Sequence, residues 1–576
     1  MKNKMTIPFY DVREIPNIRS MLETSVELYR DRPAFEVKRG GEHYDITYQE
    51  YITKINGLCT ALLDRLGNDC RVGICADNCY EYCLTYLSVI CAGGVIVPID
   101  KELHTPDILG IINVSEVKML ICDEKFLQKN GDGIPPEVQL VCLHKQADER
   151  AESFDDFVAH GVALNESGKE LYKQVEQDTE KLCTLLFTSG TTGVSKGVML
   201  CQRNFIFEIK AAMGVLRIYP EDCGISLLPL HHTFESSIMV FFAPFCGAKV
   251  TFCEGFSHVL RNMKEFSPSV FVAVPQVLEI VHKRILKAIE KKKNGAVKFK
   301  IGKVLCKAAS TVGIDLKKIV FKEIQDTFGG SMRLIICGGA PIDPQIIKDF
   351  DSFGIQVLYG YGLTECAPLA IINHDRLRTT DSVGRPLPGV EAKIVEPDES
   401  GIGEVCVKGG MVMLGYYENP EATAEVIDED GFFHTGDLGF MDKRGCYHLT
   451  GRIKNVIVTS NGKNIYPEEL EYHINADPFV AASMVEGIPD KDGEIRVHAQ
   501  ILPDTKEIEE VKGVKPSPEE LEIIVKDVVK HVNDQLPGFK RIRSYTVRST
   551  EFTMTTTKKI KRADNRTETE TEAKAE

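Results

Sequence analysis

A short apolar run that ends in a loop rich in Gly, Ser and Thr is the feature that most constrains the fold of this 576-residue chain. The run Leu182–Phe187 has the composition of a strand, and the loop follows it at once, from Thr188 to Gly197. So many glycines and hydroxyl side chains are costly inside regular structure, because Gly loses backbone entropy and Ser and Thr compete for backbone hydrogen bonds. A strand that enters such a loop, with Lys196 adding charge, predicts a binding loop for phosphate oxygens rather than a flexible surface loop. The Walker A pattern is excluded, because Gly197 and not Ser or Thr follows the lysine.

Short β-branched runs alternate with helical patterns through the middle of the chain. Strand composition recurs at Val270–Val274, Leu334–Cys337 and Gln356–Leu358, and helical spacing occurs at Pro275–Lys293 and Pro344–Phe353. This alternation predicts an α/β fold, in which ligands bind where loops leave the carboxyl ends of the strands.

The pattern changes near Lys454, where the remaining elements are typical of a small α+β domain. Ser517 and Glu520 form a capping-box pattern before an apolar stripe of helical spacing that runs from Leu521 to Val532. The last residues are rich in Thr, Glu and Ala and have no apolar pattern. We therefore expect a large N-terminal region of α/β subdomains at 1–453, a small mobile α+β domain at 454–563, and a disordered acidic tail at 564–576.

The charge balance and the cysteines argue against other classes of protein. Lys and Arg total 69 against 84 Asp and Glu, and the resulting net charge of −15 argues against a nucleic-acid binder. The 18 cysteines include no C-x-x-C pair, so we expect free thiols and a reducing compartment, the cytoplasm. The longest apolar stretches are shorter than the ~20 residues of a membrane helix, which predicts no integral membrane segment and leaves peripheral membrane contact open.

The Gly-, Ser- and Thr-rich loop resembles the signature loop of the adenylate-forming superfamily, which includes acyl-CoA synthetases, luciferases and peptide-synthetase adenylation domains. Ser195 departs from the family, which usually has Pro at this position. Further landmarks of the family follow in its order: Gly338-Gly339-Ala340-Pro341, Tyr359-Gly360-Tyr361-Gly362-Leu363-Thr364-Glu365, His434-Thr435-Gly436-Asp437, Gly451-Arg452 and the lysine-rich segment Thr555–Arg562.

The resemblance implies a nucleotide-binding role for each landmark. The phosphates are assigned to Thr188, Ser189, Gly190, Thr191, Thr192, Gly193 and Lys196, and the adenine to Gly338, Gly339, Ala340, Tyr359, Gly360, Tyr361 and Gly362. Asp437 is expected to accept from the ribose hydroxyls and Arg452 to contact the ribose or a phosphate, although these two residues could instead form a surface ion pair. Glu365 is the expected Mg²⁺ ligand, since Mg²⁺ prefers hard oxygen donors, and Thr364 is expected to bind a phosphate.

A two-step reaction with a domain rotation is also implied by the resemblance. Lys559 matches the family's mobile lysine, which bridges the substrate carboxylate and the α-phosphate during adenylation, whereas Lys558 and Lys561 are expected to be solvated. Lys454 stands at the family's hinge position. Gly462 lies in a loop that resembles the lining of the pantetheine tunnel, so coenzyme A is the expected acceptor of the acyl group.

The segment Leu228–Glu235 resembles the one that borders the acyl site of long-chain fatty acyl-CoA synthetases. His232 is then expected near the substrate carboxylate, and Phe234 and the apolar residues that follow it near the acyl channel. The stretch Lys283–Thr327 resembles an insertion typical of long-chain enzymes, and the chain has no Trp with which to close a short pocket. A long-chain fatty acid–CoA ligase that uses ATP, Mg²⁺ and coenzyme A is thus predicted.

Three alternatives are weaker. A fatty acyl-AMP ligase would load an acyl carrier protein through the same pantetheine thiol. An acyl-binding regulatory protein that has lost catalysis is disfavoured by the intact Glu365, Asp437, Arg452 and Lys559. A plain P-loop ATPase is disfavoured by the failed Walker pattern.

Overall fold

The computed structural model describes residues 7–143, 150–188, 196–292, 294–311, 313–458, 463–491, 494–555, 559–566 and 574–575. The chain forms two compact units. Unit 1 contains the residues up to 391 together with 407–433, and unit 2 contains 392–406 and the residues from 434 onward. Lys454, the expected hinge, lies inside unit 2, and rotation about this residue stays a prediction.

Strands and helices alternate along most of the chain. The strands are β1 Pro33–Arg39, β2 Glu42–Thr47, β3 Arg71–Cys75, β4 Val95–Pro98, β5 Met119–Cys122, β6 Gln139–Cys142, β7 Ala151–Ser153, β8 Leu182–Thr188, β9 Lys196–Cys201, β10 Cys223–Ser226, β11 Lys249–Phe252, β12 Val270–Ala273, β13 Leu334–Cys337, β14 Gln356–Gly362, β15 Leu369–Ile372, β16 Arg385–Pro386, β17 Glu391–Val395, β18 Gly403–Lys408, β19 Gly415–Tyr416, β20 Phe433–Met441, β21 Tyr447–Arg452, β22 Ile457–Val458, β23 Asn464–Ile465, β24 Val480–Pro489, β25 Ile495–Pro503, β26 Ser544–Val547 and β27 Lys574–Ala575. The alternation confirms the predicted α/β fold.

The helices range from single turns to the 19 residues of the second one. They are α1 Ile18–Tyr29, α2 Tyr48–Leu66, α3 Tyr80–Cys91, α4 Thr105–Val114, α5 Glu124–Asn130, α6 Phe154–Glu166, α7 Gln202–Met213, α8 Thr233–Ser236, α9 Ala243–Cys246, α10 Val259–Phe266, α11 Pro275–Glu290, α12 Gly295–Thr311, α13 Lys317–Val320, α14 Lys322–Thr327, α15 Pro344–Ser352, α16 Pro420–Val426, α17 Pro467–Asn475, α18 Thr505–Lys512 and α19 Pro518–Gln535. Within the described ranges, no helix combines the length and the apolar character that crossing a bilayer requires.

The described residues of unit 1 form two large sheets. One has nine strands in the order β16-β15-β14-β13-β12-β10-β11-β1-β2, and its strands from β14 to β1 run parallel. The other has eight strands in the order β19-β9-β8-β4-β3-β5-β6-β7, and its strands from β8 to β7 run parallel. Parallel strands place their ligand-binding loops at their carboxyl ends, which is where β8, β13 and β14 meet the predicted phosphate and adenine segments.

Four of the parallel strands, β4, β5, β12 and β13, are apolar throughout, as strands covered on both faces should be. Every residue of β4, β5, β12 and β13 is buried. Their buried side chains thus form a packed core beneath the loops that leave the sheets.

Unit 2 is the smaller α+β part of the chain. Its described strands form a sheet in the order β17-β18-β20-β21, the pair β22-β23, and a sheet in the order β24-β25-β26-β27. Helix α19 begins at the predicted capping box, in which the Ser517 and Glu520 side chains each bind the other residue's backbone N–H. The predicted stripe of α19 is buried in a core with α17 and the strands, through Ile524, Val525, Val528, Val529 and Val532.

Ordered structure continues slightly past residue 563, where the expected disordered tail begins. Arg562–Asn565 forms a 3₁₀ turn, and the buried Asn565 side chain donates to the carbonyl oxygens of Thr553 and Lys561 at 3.0 and 2.8 Å. The short strand β27 also pairs with β26. Because a buried side-chain amide needs hydrogen-bond partners, Asn565 fixes this segment, which composition alone does not reveal.

Helices α2 and α6 cross at two glycines. A Cβ atom added to Gly161 would lie 1.9 Å from the backbone oxygen of Gly57 and 2.9 Å from the Cβ of Ala61. Such an approach is possible only without a side chain, so Gly161 sets the distance between the two helices.

We predict that Gly161→Ala lowers the free energy of unfolding by about 1–3 kcal/mol, because the new methyl group must push α6 away from α2. Gly110→Ala is the matched control: it also lies inside a helix, α4, but a Cβ there meets nothing within 4 Å. The control should be neutral or stabilising by up to about 1 kcal/mol, through helix propensity. Urea denaturation followed by far-UV circular dichroism compares the two, and equal stability of both variants would contradict the close-packing argument.

Candidate active site

The two ends of the predicted phosphate loop face each other across a hairpin. β8 and β9 pair antiparallel, with Thr188 opposite Lys196 and Phe187 opposite Gly197. The loop residues between them, Ser189, Gly190, Thr191, Thr192 and Gly193, lie outside the described residues. The structure therefore places Thr188 and Lys196 side by side at the mouth of the loop, and their binding of phosphate stays a prediction.

Tyr416 connects Lys196 to Glu365, the expected metal ligand. The Tyr416 hydroxyl donates to Oε1 of Glu365 at 2.9 Å, and the Lys196 ammonium lies 4.7 Å from the centre of the Tyr416 ring. Burial, reinforced by the Glu365 carboxylate, raises the pKa of Tyr416 well above its usual range, so the phenol stays a donor. The hydrogen bond uses one of the two carboxylate oxygens of Glu365, which is half-buried.

Sequence reasoning missed Tyr416. The signal that could have found it is the pair Tyr416-Tyr417 after Gly415, a short β-prone stretch in an otherwise irregular segment. This stretch becomes β19 and adds to the edge of the sheet beside β9, with Tyr416 opposite Val198.

The turn that carries Thr364 and Glu365 is held by backbone hydrogen bonds. The Leu363 N–H donates to the Pro368 carbonyl at 2.8 Å, and the Glu365 carbonyl accepts from Met413 at 2.8 Å. A Cβ on Gly362 would lie 1.8 Å from the Pro368 oxygen, so this position requires glycine. The tight turn leaves Thr364 and Glu365 at the end of β14, on the short 3₁₀ turn Thr364–Cys366.

The two segments assigned to the adenine lie next to each other. β13 and β14 pair in parallel with Cys337 opposite Tyr359, so both segments leave the sheet at the same edge. The Tyr359 hydroxyl donates to the Ala340 carbonyl at 3.2 Å, and a Cβ on Gly338 would stand only 3.1 Å from the Gly360 oxygen. Gly339 has φ +88°, a conformation that favours glycine.

Tyr361 is mostly buried, with 7% of its surface exposed. Its proposed contact with the adenine ring stays a prediction. The ring of Phe234, from the expected acyl segment, lies near Gly338, since a Cβ on that glycine would be 3.7 Å from Phe234 Cζ. The acyl and adenine segments are therefore neighbours.

His232 begins helix α8 and packs against its neighbour His231, with ring centroids 4.2 Å apart. His231 Nε2 lies 3.5 Å from Asp100 Oδ2. Burial, followed by the nearby Lys101 ammonium, lowers the pKa of His231 to about 3, so its imidazole is neutral at physiological pH.

Glu235 is fully buried three residues after His232. Its Oε1 accepts from the Leu227 N–H at 2.9 Å, and burial raises its pKa to about 8. The same loop is held by Asn78, which donates to the Leu228 carbonyl at 2.7 Å and accepts from Leu230 N–H at 3.0 Å. Glu235 is buried and accepts from the loop backbone, so it supports the loop from within.

The apolar residues after Phe234 are core residues in this conformation. Ser237–Phe242 forms a π-helical turn between α8 and α9, and all six residues are buried. Phe241 stacks on Phe205 with ring centroids 4.3 Å apart. π-Helical turns are rare and occur frequently at functional sites. The position of the expected acyl channel along this segment stays a prediction.

A second buried acid, Glu208 of α7, joins this π-helical turn to the Glu365 turn. Glu208 accepts from the Ser237 hydroxyl and from the Leu369 N–H, both at 3.2 Å, and Ser237 also donates to the Ala367 carbonyl at 3.0 Å. Burial raises the pKa of Glu208 well above its ordinary value. Sequence reasoning missed Glu208, because nothing in its local pattern distinguishes it from a solvated acid.

In unit 2, Asp437 and Arg452 face each other across β20 and β21. They are register partners, and Arg452 Nε lies 2.7 Å from Asp437 Oδ1. The ion pair that the sequence left open as an alternative is therefore present. Asp437 is buried while Arg452 is half-exposed, which leaves the guanidinium able to reach a ligand.

The turn before Asp437 is held by Thr435, which belongs to the landmark segment, and by Glu404, which sequence reasoning missed. The Thr435 hydroxyl accepts from the Asp437 N–H at 3.0 Å and donates to the Val405 carbonyl at 2.7 Å. Glu404 accepts from the Gly436 N–H at 2.8 Å and lies 2.7 Å from Nδ1 of His434. These bonds orient the Asp437 carboxylate.

Lys559 and Lys454 share the electrostatic environment of Asp437 and Arg452. Lys559 stands on one arm of a hairpin, where its N–H donates to the Thr555 hydroxyl at 3.0 Å and its carbonyl accepts from Thr555 N–H at 2.7 Å. Desolvation and then the Arg452 guanidinium lower the pKa of Lys559, and the same two effects lower the pKa of Lys454. The Asp437 carboxylate acts in the opposite direction and raises both pKa values. Arg452 and Asp437 thus act on both lysines of unit 2. Lys558 and Gly462 lie outside the described residues.

Comparison with known proteins agrees with this geometry. Residues 22–417 match the family of AMP-binding enzymes. Long-chain-fatty-acid–CoA ligase 5 of Mus musculus is 30% identical, over 90% of this chain and 82% of that protein. Long-chain-fatty-acid–CoA ligase 1 of Homo sapiens is 27% identical, over 97% of this chain and 86% of that protein. The crystal structure of ATP-bound MatB from Rhodopseudomonas palustris superposes with a TM-score of 0.73 at 25% identity, over 95% of this chain and 97% of that one. The chain therefore belongs to the AMP-binding enzyme family, as its resemblance to adenylate-forming enzymes predicts.

Proposed function

We propose that this protein is a long-chain fatty acid–CoA ligase. It activates a fatty acid with ATP to an acyl adenylate, and then transfers the acyl group to coenzyme A, releasing pyrophosphate and AMP. The observation that carries the proposal is the contact of Lys196, Tyr416 and Glu365 beside the Gly-, Ser- and Thr-rich loop. The relatives named as long-chain ligases support a fatty acid as the substrate class.

The first step requires charge stabilisation more than covalent chemistry. Attack of the carboxylate oxygen on the α-phosphorus forms one P–O bond while the bond to pyrophosphate breaks, and negative charge accumulates on the phosphoryl oxygens. Lys196 and the loop would bind the phosphates, and Thr364 would donate to one of them. Glu365 is a suitable Mg²⁺ ligand, because Tyr416 occupies only one of its oxygens, and bound Mg²⁺ would neutralise phosphate charge.

The residues of unit 2 fit the remaining parts of the nucleotide. Asp437 would accept from the ribose hydroxyls, with Arg452 beside it as a donor that is always charged. Lys559 would bridge the substrate carboxylate and the α-phosphate. Its lowered pKa is consistent with a crowded cationic environment, which an anionic ligand would relieve.

An external thiol suits the second step. All 18 cysteines are free, and most of them are buried. Burial raises the pKa of Cys183 and of Cys337 far above the usual range, which makes such thiols poor nucleophiles. We therefore propose that coenzyme A brings the attacking thiol, through the loop that contains Gly462. The number of free thiols also supports the cytoplasm as the compartment in which the protein works.

Substrate length tests the proposed function directly. We predict that kcat/KM, measured by pyrophosphate release, rises from hexanoate to at least dodecanoate, by at most about 0.8 kcal/mol of transition-state binding for each buried CH₂. Acetate, glycine and benzoate are the comparison acids. A maximum at acetate or propionate would exclude a long-chain enzyme.

The acceptor is tested in the same assay with palmitate, by supplying either coenzyme A or a pantetheinylated acyl carrier protein. The proposal requires thioester formation with coenzyme A. Accumulation of adenylate that only the carrier protein discharges would identify an acyl-AMP ligase instead.

We predict that Glu365→Gln slows adenylation by about two orders of magnitude or more and raises the Mg²⁺ concentration needed, because the ligand loses its charge. Tyr416→Phe should slow it about ten- to hundredfold, since a hydrogen bond to a charged group is lost. Tyr417→Phe is the matched control: its hydroxyl binds Arg71 at 2.9 Å and does not touch Glu365. Near-normal turnover of Glu365→Gln at low Mg²⁺ would show that this carboxylate does not hold the metal.

The two half-reactions should be separable by mutation in unit 2. Lys559→Ala should cripple adenylate formation but still convert supplied acyl-AMP to acyl-CoA. Lys561→Ala, two residues away, is the control and should carry out both steps at near wild-type rates. Lys454→Pro, which fixes φ at the expected hinge, should form adenylate and stall before the thioester. Stopped-flow pyrophosphate release and thioester analysis measure each step. An equal loss of both steps in Lys559→Ala would contradict the assignment of this lysine to adenylation.

A further inference from the structure

The segment 283–322 has a charge opposite to that of the rest of the chain. It contains 13 Lys or Arg and only two acidic residues, Glu290 and Asp315, a net charge of +11 in a protein whose formal net charge is −15. Most of this charge lies on α11, α12 and α13, which are part of unit 1. A segment that concentrates positive charge in an acidic protein is suited to an anionic partner.

Helix α12 also carries apolar side chains that face solvent. Val297, Ile301, Val304 and Leu305 are 58%, 53%, 68% and 54% exposed. Their spacing of i, i+4, i+7 and i+8 places all four on one side of the helix. They form a continuous stripe, which we call the α12 stripe. Single exposed apolar residues are common, but a continuous exposed stripe marks an interaction site.

The opposite side of α12 is fixed to unit 1, so the helix cannot turn the α12 stripe inward. The Phe299 ring packs against the rings of Phe321 and Phe353, with centroids 5.7 and 5.8 Å apart. Lys303 forms an ion pair with the buried Asp349, and Cys306 is buried. The helix thus has two apolar sides, one used in the core and the other at the surface.

Helix α13 lies against α12 and carries further exposed apolar side chains. A Cβ on Gly302 would lie 2.9 Å from Cγ1 of Val320, so the two helices are in contact. Ile319, on α13, is 73% exposed, and Ile314, in the connection between the helices, is also exposed. Exposed apolar side chains therefore occur on both helices and on their connection.

Lysines border the α12 stripe. At 100° per residue, Lys298 falls on one side of the stripe and Lys300 and Lys307 on the other, and all three are exposed. Apolar side chains facing outward between lysines are the signature of a helix that lies in the plane of a membrane, with lysines at the level of anionic headgroups.

We propose that α12 and α13 dock this protein onto an anionic phospholipid surface. At 17 residues α12 is shorter than a bilayer span, so it would lie flat, with the α12 stripe among the upper acyl chains and the lysines at the phosphate groups. Charge complementarity favours anionic lipid over a neutral protein surface. The inference does not rest on the proposed ligase function, because docking needs neither ATP nor a fatty acid.

Cosedimentation of the full chain with large unilamellar vesicles tests the proposal, without nucleotide or acyl substrate. Wild type should bind vesicles of equimolar phosphatidylcholine and phosphatidylglycerol at least about tenfold more tightly than vesicles of phosphatidylcholine alone, and added salt should weaken this binding. The triple variant Ile301→Ser, Val304→Ser, Leu305→Ser should bind the anionic vesicles about tenfold or more weakly. The triple variant Lys298→Gln, Lys300→Gln, Lys307→Gln should lose the preference for anionic lipid.

Matched controls come from unit 2, which carries exposed residues of the same types. Val511→Ser, Val514→Ser and Ile523→Ser replace three apolar side chains that are equally exposed, and Lys506→Gln, Lys512→Gln and Lys515→Gln remove three exposed lysines. Both controls should bind vesicles like wild type. Every substitution is at an exposed position, so all variants should melt within a few degrees of wild type.

Three results would overturn the proposal. The first is the absence of wild-type binding to either kind of vesicle. The second is binding by the triple serine variant of the α12 stripe that equals wild-type binding. The third is a concentration-dependent dimer, seen by light scattering, that the triple serine variant abolishes while vesicle binding stays absent, because a second copy of the chain would then be the occupant.

Discussion

The pairing of β19 with the edge strand β9 is the interaction on which the site in unit 1 depends. It sets Tyr416 opposite Val198, two residues from Lys196. From there the phenol holds the Glu365 carboxylate while its ring packs against the Lys196 ammonium. A slip of one residue in this register would turn Tyr416 to the other face of the sheet and break both contacts. Backbone hydrogen bonds between two strands thus position an acid and a base that are 169 residues apart in the sequence.

Buried carboxyl groups support the loops behind the site. Glu235 accepts from the Leu227 N–H in the loop that leads to His232, and Glu208 accepts from the Leu369 N–H just after the Glu365 turn. Each acid satisfies a backbone donor that would otherwise be buried without a partner. Burial raises the pKa of both groups, because it disfavours the charged form of a carboxyl group. This separates the acids that shape the site from Glu365, which is half-buried and can hold a cation.

Lysine has two different uses in this chain. In unit 2, Lys454 and Lys559 share one electrostatic environment with Arg452 and Asp437, and desolvation lowers their pKa values. Along α12, Lys298 and Lys300 stand in solvent beside apolar side chains. The first arrangement suits a single small anion with several oxygens, and the second suits an extended anionic surface, because it combines charge with apolar area.

The sequence by itself determined the α/β class, the order of the nucleotide-binding segments and the capped helix α19, because strand composition, Gly-rich loops and capping boxes are local patterns. It also indicated Lys196, Glu365 and Asp437 through the family resemblance. Only the tertiary structure decided that Tyr416 joins Lys196 to Glu365, that Asp437 pairs with Arg452, and that the α12 stripe faces solvent. These depend on strand register and on which face of a helix meets the core, and helical spacing alone does not say which of two apolar faces will be buried.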